Sequence, residues 1–202
     1  GVRAGGMFAF SKPHEDMVGT GVNPVVRNGF VLSAAASLGY KILDPLKLQA
    51  EIVLSYNNSM NVSGMGVPDT TVTYSTIEIP LILSFAAVRH PVVAEIYGGA
   101  YISLPVSDIN IEMAGLGKGS IKLTGNTFGF TVGLSVSKNI GPGYIIADVR
   151  YINDFDSLKI AGVFETVIES EEGDIPVTVD LNGMRVCTRR GISATVGYSF
   201  AL

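Results

Sequence analysis

The sequence has no run of apolar residues long enough to form a membrane-spanning helix, although apolar residues are abundant. Such a helix needs about 20 consecutive apolar residues, and the most apolar stretches, such as 77–87, are interrupted by Glu, Pro or Ser. Charged residues make up only 16% of the chain, while 47% are hydrophobic and the mean hydropathy is +0.38. Soluble domains average about 25% charged residues. These values favour a transmembrane β-barrel, whose tilted strands need only about 9–11 residues.

Residues with reactive side chains are also scarce. The single cysteine, Cys187, excludes an internal disulfide and has no histidine near it. His14 and His90 are the only histidines, and no further ligand lies at metal-binding spacing from His14. We therefore expect no catalytic, cofactor-binding or metal-binding residues, no cofactor and no enzymatic activity. The net charge is −4 and no cluster of Lys or Arg is present, so we expect no nucleic-acid partner.

The segment 46–56, LKLQAEIVLSY, shows the main pattern of the chain. Leu48, Ile52 and Leu54 share one parity with other apolar residues, whereas Lys47 and Glu51 share the opposite parity. Because successive side chains of a strand point to opposite faces, this alternation predicts a strand with one apolar and one polar face.

Similar alternation recurs along the chain and predicts about eight strands. They cover 2–10, 29–41, 46–56, 73–85, 92–104, 127–137, 144–151 and 191–202. The connections between them are alternately long and short, and no segment with helical periodicity interrupts the series. We expect loops at 11–28 and 57–71, a third long excursion at 105–126, and a hairpin with its turn at Gly173 and Asp174 in the last connection. An up-and-down transmembrane barrel with short periplasmic turns and long extracellular loops is built in this way. Tryptophan, usual at membrane interfaces, is absent, and tyrosine and phenylalanine near strand ends can replace it: Phe10, Tyr40, Tyr56, Tyr151, Tyr198 and Phe200.

The polar parity distinguishes a membrane barrel from a soluble lipocalin-like barrel. In the soluble barrel that parity would face water, where about a quarter to a third of positions are charged. Here it consists mainly of Gly, Ser, Ala and Thr with isolated charges. Small residues suit the narrow lumen of an eight-stranded barrel. We therefore predict that the apolar parity, including Leu48, Ile52 and Leu54, contacts lipid and that Glu51 lies in the lumen.

The isolated charges of the polar parity form a predicted lumen charge cluster. We expect the carboxylates to pair with Lys and Arg, because an unpaired buried charge is costly. The cluster then stabilises the barrel, and the alternative is a proton or ion path through the lumen. Its predicted members are Arg3, Lys47, Glu51, Glu78, Glu95, Asp148 and Arg150.

Several strand segments resemble the small OmpX-like outer-membrane β-barrel proteins. The similar segments are LQAEIVLSY at 48–56, IEIPLILSF at 77–85, IYGGAYISL at 96–104, IADVRYIND at 146–154 and the ending GISATVGYSFAL. The chain departs from that family by continuing two residues beyond Phe200. The resemblance covers nearly all strands and none of the long loops, and it implies fold and location more than activity. It implies an all-β outer-membrane barrel in a bacterial envelope.

We therefore interpret 1–202 as one outer-membrane β-barrel domain, with 152–190 as a long last loop that contains an extended hairpin. The sequence does not start with a charged segment followed by an apolar one, so either a signal peptide has been removed, which we expect, or the protein is cytosolic. The expected role is structural or interactive, with the lipid bilayer and other envelope or surface proteins as partners. A small pore or transporter for small or hydrophobic solutes is the alternative, and a soluble lipocalin-like binder is the third possibility.

The last loop is acidic, and weak calcium binding or attraction to a basic partner is a hypothesis for it. Its acidic residues are Asp154, Asp156, Glu165, Glu169, Glu171, Glu172 and Asp174.

Overall fold

The computed structural model describes residues 1–13, 25–27, 29–64, 67–88, 91–113, 117–157, 159–168, 175–180, 185 and 187–200. Strands are the regular secondary structure of these residues, and no helix among them is long and apolar enough to cross a membrane. The strands are β1 (Val2–Pro13), β2 (Val25–Arg27), β3 (Gly29–Leu43), β4 (Leu46–Gly64), β5 (Val67–Val88), β6 (Val93–Pro105), β7 (Ile109–Met113), β8 (Gly117–Thr124), β9 (Thr127–Ile140), β10 (Gly143–Asp154), β11 (Lys159–Ala161), β12 (Val163–Ile168), β13 (Ile175–Asp180) and β14 (Cys187–Phe200).

Eight long strands form a closed antiparallel barrel. Each pairs with the next in the order β1, β3, β4, β5, β6, β9, β10 and β14, and β14 closes the barrel by pairing with β1. Closure leaves no free sheet edge in the barrel wall. The all-β, up-and-down, eight-stranded fold that the alternation and the resemblance predict is therefore confirmed.

The shorter strands extend one side of the barrel beyond its rim. The ends of β4 and β5 continue as a ribbon, which β2 joins on one side and β7, β8 and β11 join on the other. We call the barrel end that carries this extension the loop side. The opposite end, where short connections follow β3, β5 and β9, is called the turn side.

The prediction that 57–71 is a loop was wrong. Val62 pairs with Thr70 and Gly64 pairs with Val67, so the hairpin continues well beyond the barrel. Asn, Ser and Gly suggested a loop, but the β-branched Val and Thr residues suit a two-stranded ribbon. Likewise, the excursions predicted at 11–28 and 105–126 contain strand segments: the end of β1 and β2 in the first, β7 and β8 in the second.

The hairpin predicted in the last long loop is confirmed. Strand β12 pairs with β13 over six residues and forms a separate two-stranded sheet. Its expected turn at Gly173 and Asp174 lies outside the described residues. The last barrel strand begins at Cys187 rather than at residue 191, because four further residues pair with the end of β1.

The outer face of the barrel is apolar on all eight strands. Ile52 is 57% exposed on the outside, whereas its neighbour Glu51 is 2% exposed in the lumen. Leu48 and Leu54 are also exposed, as predicted. Outward positions carry only Ala, Gly, Val, Leu, Ile, Phe or Tyr; these are alternate residues of 2–8, 32–40, 46–56, 77–85, 94–104, 128–136, 145–151 and 192–200.

Aromatic side chains lie at both ends of this apolar face. Tyr40 and Phe200 are exposed near the turn side, and Tyr56, Phe8 and Phe128 are exposed toward the loop side. The strand rise of about 3.3 Å per residue separates the partner of Tyr40 from Tyr56 by about 26 Å along β4. A strand tilt of about 40° reduces this to roughly 20 Å, close to the apolar band of about 25 Å in membrane barrels.

Candidate functional site

The lumen contains a group of four buried charges toward the turn side, which we call the turn-side layer. Arg3 of β1 pairs with Glu51 of β4 and lies 3.3 Å from a carboxylate oxygen of Asp148 on β10. Arg150, two residues along β10, donates to Glu51 at 2.8 Å and to Asp148 at 3.0 Å. Each arginine thus contacts both carboxylates, and the layer has no net charge.

Uncharged side chains complete the turn-side layer. The hydroxyl of Tyr97 donates to Asp148 at 2.5 Å, and the guanidinium of Arg150 lies 5.5 Å from the centre of the Tyr97 ring. Gln49 donates to Glu51 at 2.5 Å. Tyr97 faces Gly133 on β9, where a Cβ atom would meet the tyrosine ring. The glycine therefore makes room for the ring of its neighbour on the adjacent strand.

A second group of buried charges lies toward the loop side, and we call it the loop-side layer. Arg189 of β14 donates to Glu78 of β5 at 2.5 Å and lies 3.5 Å from Asp154 at the end of β10. Asp154 also accepts hydrogen bonds from the Tyr101 hydroxyl and, at 3.3 Å, from the Arg189 backbone N–H. Ser55 donates to Glu78 at 3.0 Å. One arginine therefore serves two carboxylates.

Apolar side chains separate the two layers. Met7, Val31 and Ile152 cluster with the ring of Tyr101 inside the barrel. A cavity of about 20 Å³ also lies between the layers and is lined by both Glu78 and Arg150. That volume holds about one water molecule. The lumen was predicted to be small and polar, with a plug of ion pairs. Between the two layers it also contains packed apolar side chains, because eight strands leave room only for side chains.

The turn-side mouth is wider. A cavity of about 420 Å³, which we call the vestibule, lies between the turn-side layer and the barrel end. Lys47 pairs with Glu95 at 2.8 Å at its wall. Nearer the rim, the exposed side chains of Lys41 and Asp44 pair at 3.0 Å.

The structure divides the predicted charge cluster into three parts. Arg3, Glu51, Asp148 and Arg150 meet in one layer, and Lys47 and Glu95 pair with each other in the vestibule. The expectation that Glu78 pairs with Arg3, Lys47 or Arg150 was wrong, since it binds Arg189. Whether the cluster serves stability alone stays a prediction.

Four lumen residues were not among the predicted cluster. Tyr97 and Tyr101 lie on the inward parity of β6, and that parity alone would have placed both side chains in the lumen. Asp154 and Arg189 lie beyond the predicted ends of their strands. Asp154 continues the inward series of Asp148 and Arg150, so parity extended by two turns of the pleat would have found it.

Asp154, one of the acidic residues in the calcium-binding hypothesis for the last loop, is instead buried in the lumen beside Arg189. Asp156 lies 3.7 Å from Lys159. Within the described ranges, no group of three or more His, Cys, Asp or Glu could hold a metal ion. Residues 169–174, His14 and His90 lie outside those ranges.

No protein-family model and no curated protein matches the chain. Among solved structures, it is similar to the outer membrane protein OprG from Pseudomonas aeruginosa, with 12% identity, a TM-score of 0.47 and coverage of 99% of this chain and 95% of that one. It is also similar to the attachment invasion locus protein Ail of Yersinia pestis, with 11% identity, a TM-score of 0.41 and coverage of 98% of this chain and 96% of that one. A third similar structure is the translocator domain of the autotransporter NalP from Neisseria meningitidis, with 13% identity, a TM-score of 0.41 and coverage of 98% of this chain and 88% of that one. With TM-scores below 0.5, these similarities assign neither a family nor a function.

Proposed function

We propose that this chain is an integral β-barrel of a bacterial outer membrane, with a sealed lumen and a structural or interactive role. The observation that carries the proposal is the outer face, which is apolar on every strand over a height that suits a bilayer. In water, most of this apolar surface would contact solvent. Monomeric soluble proteins rarely expose apolar patches beyond a few hundred Å², so the outer face favours a lipid environment.

The sealed lumen supports a structural rather than a transporting role. Two layers of paired charges cross it, and an apolar plug fills the space between them. A water-filled path through the barrel would require both layers to separate, which exposes charges that now satisfy one another. The proposal includes no catalytic activity.

The part of the sheet that extends beyond the barrel on the loop side supports an interactive role. It stands beyond the apolar face and is ordered by strand pairing from β2 across to β11. Within the described residues, β12 and β13 pair with each other and with no further strand. Their outer edges offer backbone groups to an added strand of a partner protein.

Two substitutions on neighbouring strands test the membrane location. Ile52 lies at the middle of the apolar face, and Ile42 lies near the turn after β3 and is similarly exposed. In a bilayer, Ile52→Arg should reduce the free energy of unfolding by about 2–4 kcal/mol, whereas Ile42→Arg should cost about 0–1 kcal/mol. Urea unfolding of the barrel in lipid vesicles, followed by gel mobility without heating, measures both values.

Equal and small costs for the two variants, or a wild-type chain that stays dissolved without detergent, would contradict the membrane location and favour the lipocalin-like barrel. Conductance of the wild-type barrel in planar bilayers tests the sealed lumen. We expect no steady open state. A sustained conductance would contradict the seal and favour the small-pore alternative.

A further inference from the structure

We propose that the vestibule at the turn-side mouth is a binding site for a small, uncharged, polyhydroxylated solute of about monosaccharide size. Its volume of about 420 Å³ falls within the range of about 300–1,000 Å³ that small-molecule sites occupy. The floor is the turn-side layer, which closes the way further into the lumen, so the vestibule is a blind pocket with one mouth.

Hydroxyl groups from four different strands line the same space. Ser37 of β3, Ser84 of β5, Ser135 of β9 and Ser199 of β14 all border the vestibule. A serine hydroxyl donates one hydrogen bond and accepts others. Sugar hydroxyls have the same dual capacity, so a wall of serines complements a polyol better than it complements an ion of one sign.

The hydroxyl of Ser84 points to a ligand independently of the pocket itself. Ser84 is 3% exposed, and its Oγ has no hydrogen-bond partner in the part of the chain that the structure describes. A buried polar group without a partner is unfavourable, because it has given up its hydrogen bonds to water and gained none in return. A ligand hydroxyl in the vestibule would remove this cost, which makes Ser84 the residue whose contribution to binding is easiest to isolate.

The charges around the vestibule favour an uncharged ligand. Lys47 and Glu95 pair with each other at 2.8 Å, and Arg3 and Glu51 pair within the floor. Lys41 also borders the vestibule and pairs with Asp44 at 3.0 Å, and the ammonium group of Gly1 donates to the Ser37 carbonyl at 2.8 Å. A charged solute would therefore have to compete with an existing partner for every charged group of the wall. Tyr144 and Ile146 add apolar surface to the hydroxyl-rich wall, as small-molecule sites usually do.

The test uses the full barrel in a detergent without a sugar headgroup, titrated with D-glucose and followed by amide chemical shifts. We expect saturable shifts at Ser84, Ser135 and Gln49. Ser84→Ala should weaken binding by roughly three- to tenfold, the value of one hydrogen bond. Because this hydroxyl has no partner among the described residues, the variant should keep wild-type heat-modifiability on gels.

Ser193→Ala is the matched control, since Ser193 is a buried lumen serine that lines the small cavity between the layers instead. It should bind glucose as the wild type does. Glycine, a zwitterion of smaller size, should give no saturable shifts at the same amides. The proposal is overturned if glucose shifts do not saturate, if both serine variants weaken binding equally, or if glycine binds more tightly than glucose.

Discussion

The two charge layers of the lumen differ in how their charges are balanced. In the turn-side layer, two arginines and two carboxylates contact one another in every combination. In the loop-side layer, Arg189 is the one cation among the described residues that contacts Glu78 and Asp154, and tyrosine and serine hydroxyls donate further hydrogen bonds. Both layers close the barrel, but only the first compensates its charges fully. The difference predicts distinct responses to mutation and to pH.

Removing one carboxylate from the turn-side layer should have the largest effect. Glu51→Gln leaves Arg3 and Arg150 charged with Asp148 as their only anionic partner in that layer. Leaving a buried charge uncompensated costs about 3–5 kcal/mol, and we expect the free energy of unfolding in lipid vesicles to fall by that amount. Urea titrations of the two proteins measure the difference.

Glu95→Gln is the matched control, because Glu95 also pairs with a cation but lies in the wider vestibule. Its loss should cost no more than about 1 kcal/mol. Similar costs for Glu51→Gln and Glu95→Gln would show that burial in a layer does not increase the contribution of an ion pair to the free energy of unfolding.

Arg189→Met tests the layer with excess negative charge. At neutral pH the variant retains Glu78 and Asp154 without a cation, and we expect a loss of about 3–5 kcal/mol. Carboxylates can take up a proton and become neutral, whereas arginine stays charged. The folded variant should therefore bind more protons than the unfolded chain, so its stability rises as the pH falls.

The recovery should be about 1.4 kcal/mol for each pH unit over which the folded variant holds one extra proton. The measurement is unfolding in urea at a series of pH values, each compared with the wild type at the same pH. Glu51→Gln serves as the control, because the groups that it leaves without a partner are arginines, which stay charged. The free energy of unfolding that this variant loses should therefore not recover on acidification. Parallel pH profiles for the two variants would contradict the proposed difference between the layers.

All four charges of the turn-side layer were predicted from the sequence, whereas Glu78 was the only predicted charge of the loop-side layer. Arg3, Glu51, Asp148 and Arg150 all lie on the polar parity of segments that alternate clearly. Their partners within the layer were still unknown, because strand parity fixes the face of a residue while pairing across the lumen depends on barrel closure and stagger.

Asp154 and Arg189 of the loop-side layer were missed because apolar alternation ends before the strands do. Beside Asp154 and Arg189, the outward positions are Asn153 and Arg190, which pair with each other across β10 and β14. Beyond the apolar face the outside of a strand can be polar, so the period-two signal disappears although the backbone ladder continues. The same reason explains the loop predicted at 57–71, where paired strands carry polar side chains.

A steric feature shared by the two layers gives the smallest predicted effect. Tyr97 of the turn-side layer faces Gly133, and Tyr101 of the loop-side layer faces Gly129; a Cβ atom at either glycine would meet the opposite ring. Overpacking typically costs about 1–3 kcal/mol, so Gly133→Ala and Gly129→Ala should each lower the free energy of unfolding by about that amount.

Gly98→Ala is the control for these two variants, because Gly98 faces outward and a Cβ there would make ordinary contact with Val132 at 3.5 Å. It should cost little in the same urea titration. Because a Cβ at Gly133 would also meet the backbone oxygen of Val149, and one at Gly129 that of Asn153, movement of a ring cannot relieve the crowding and the two costs should be similar. A cost at either position no larger than that of Gly98→Ala would contradict the close packing at that glycine.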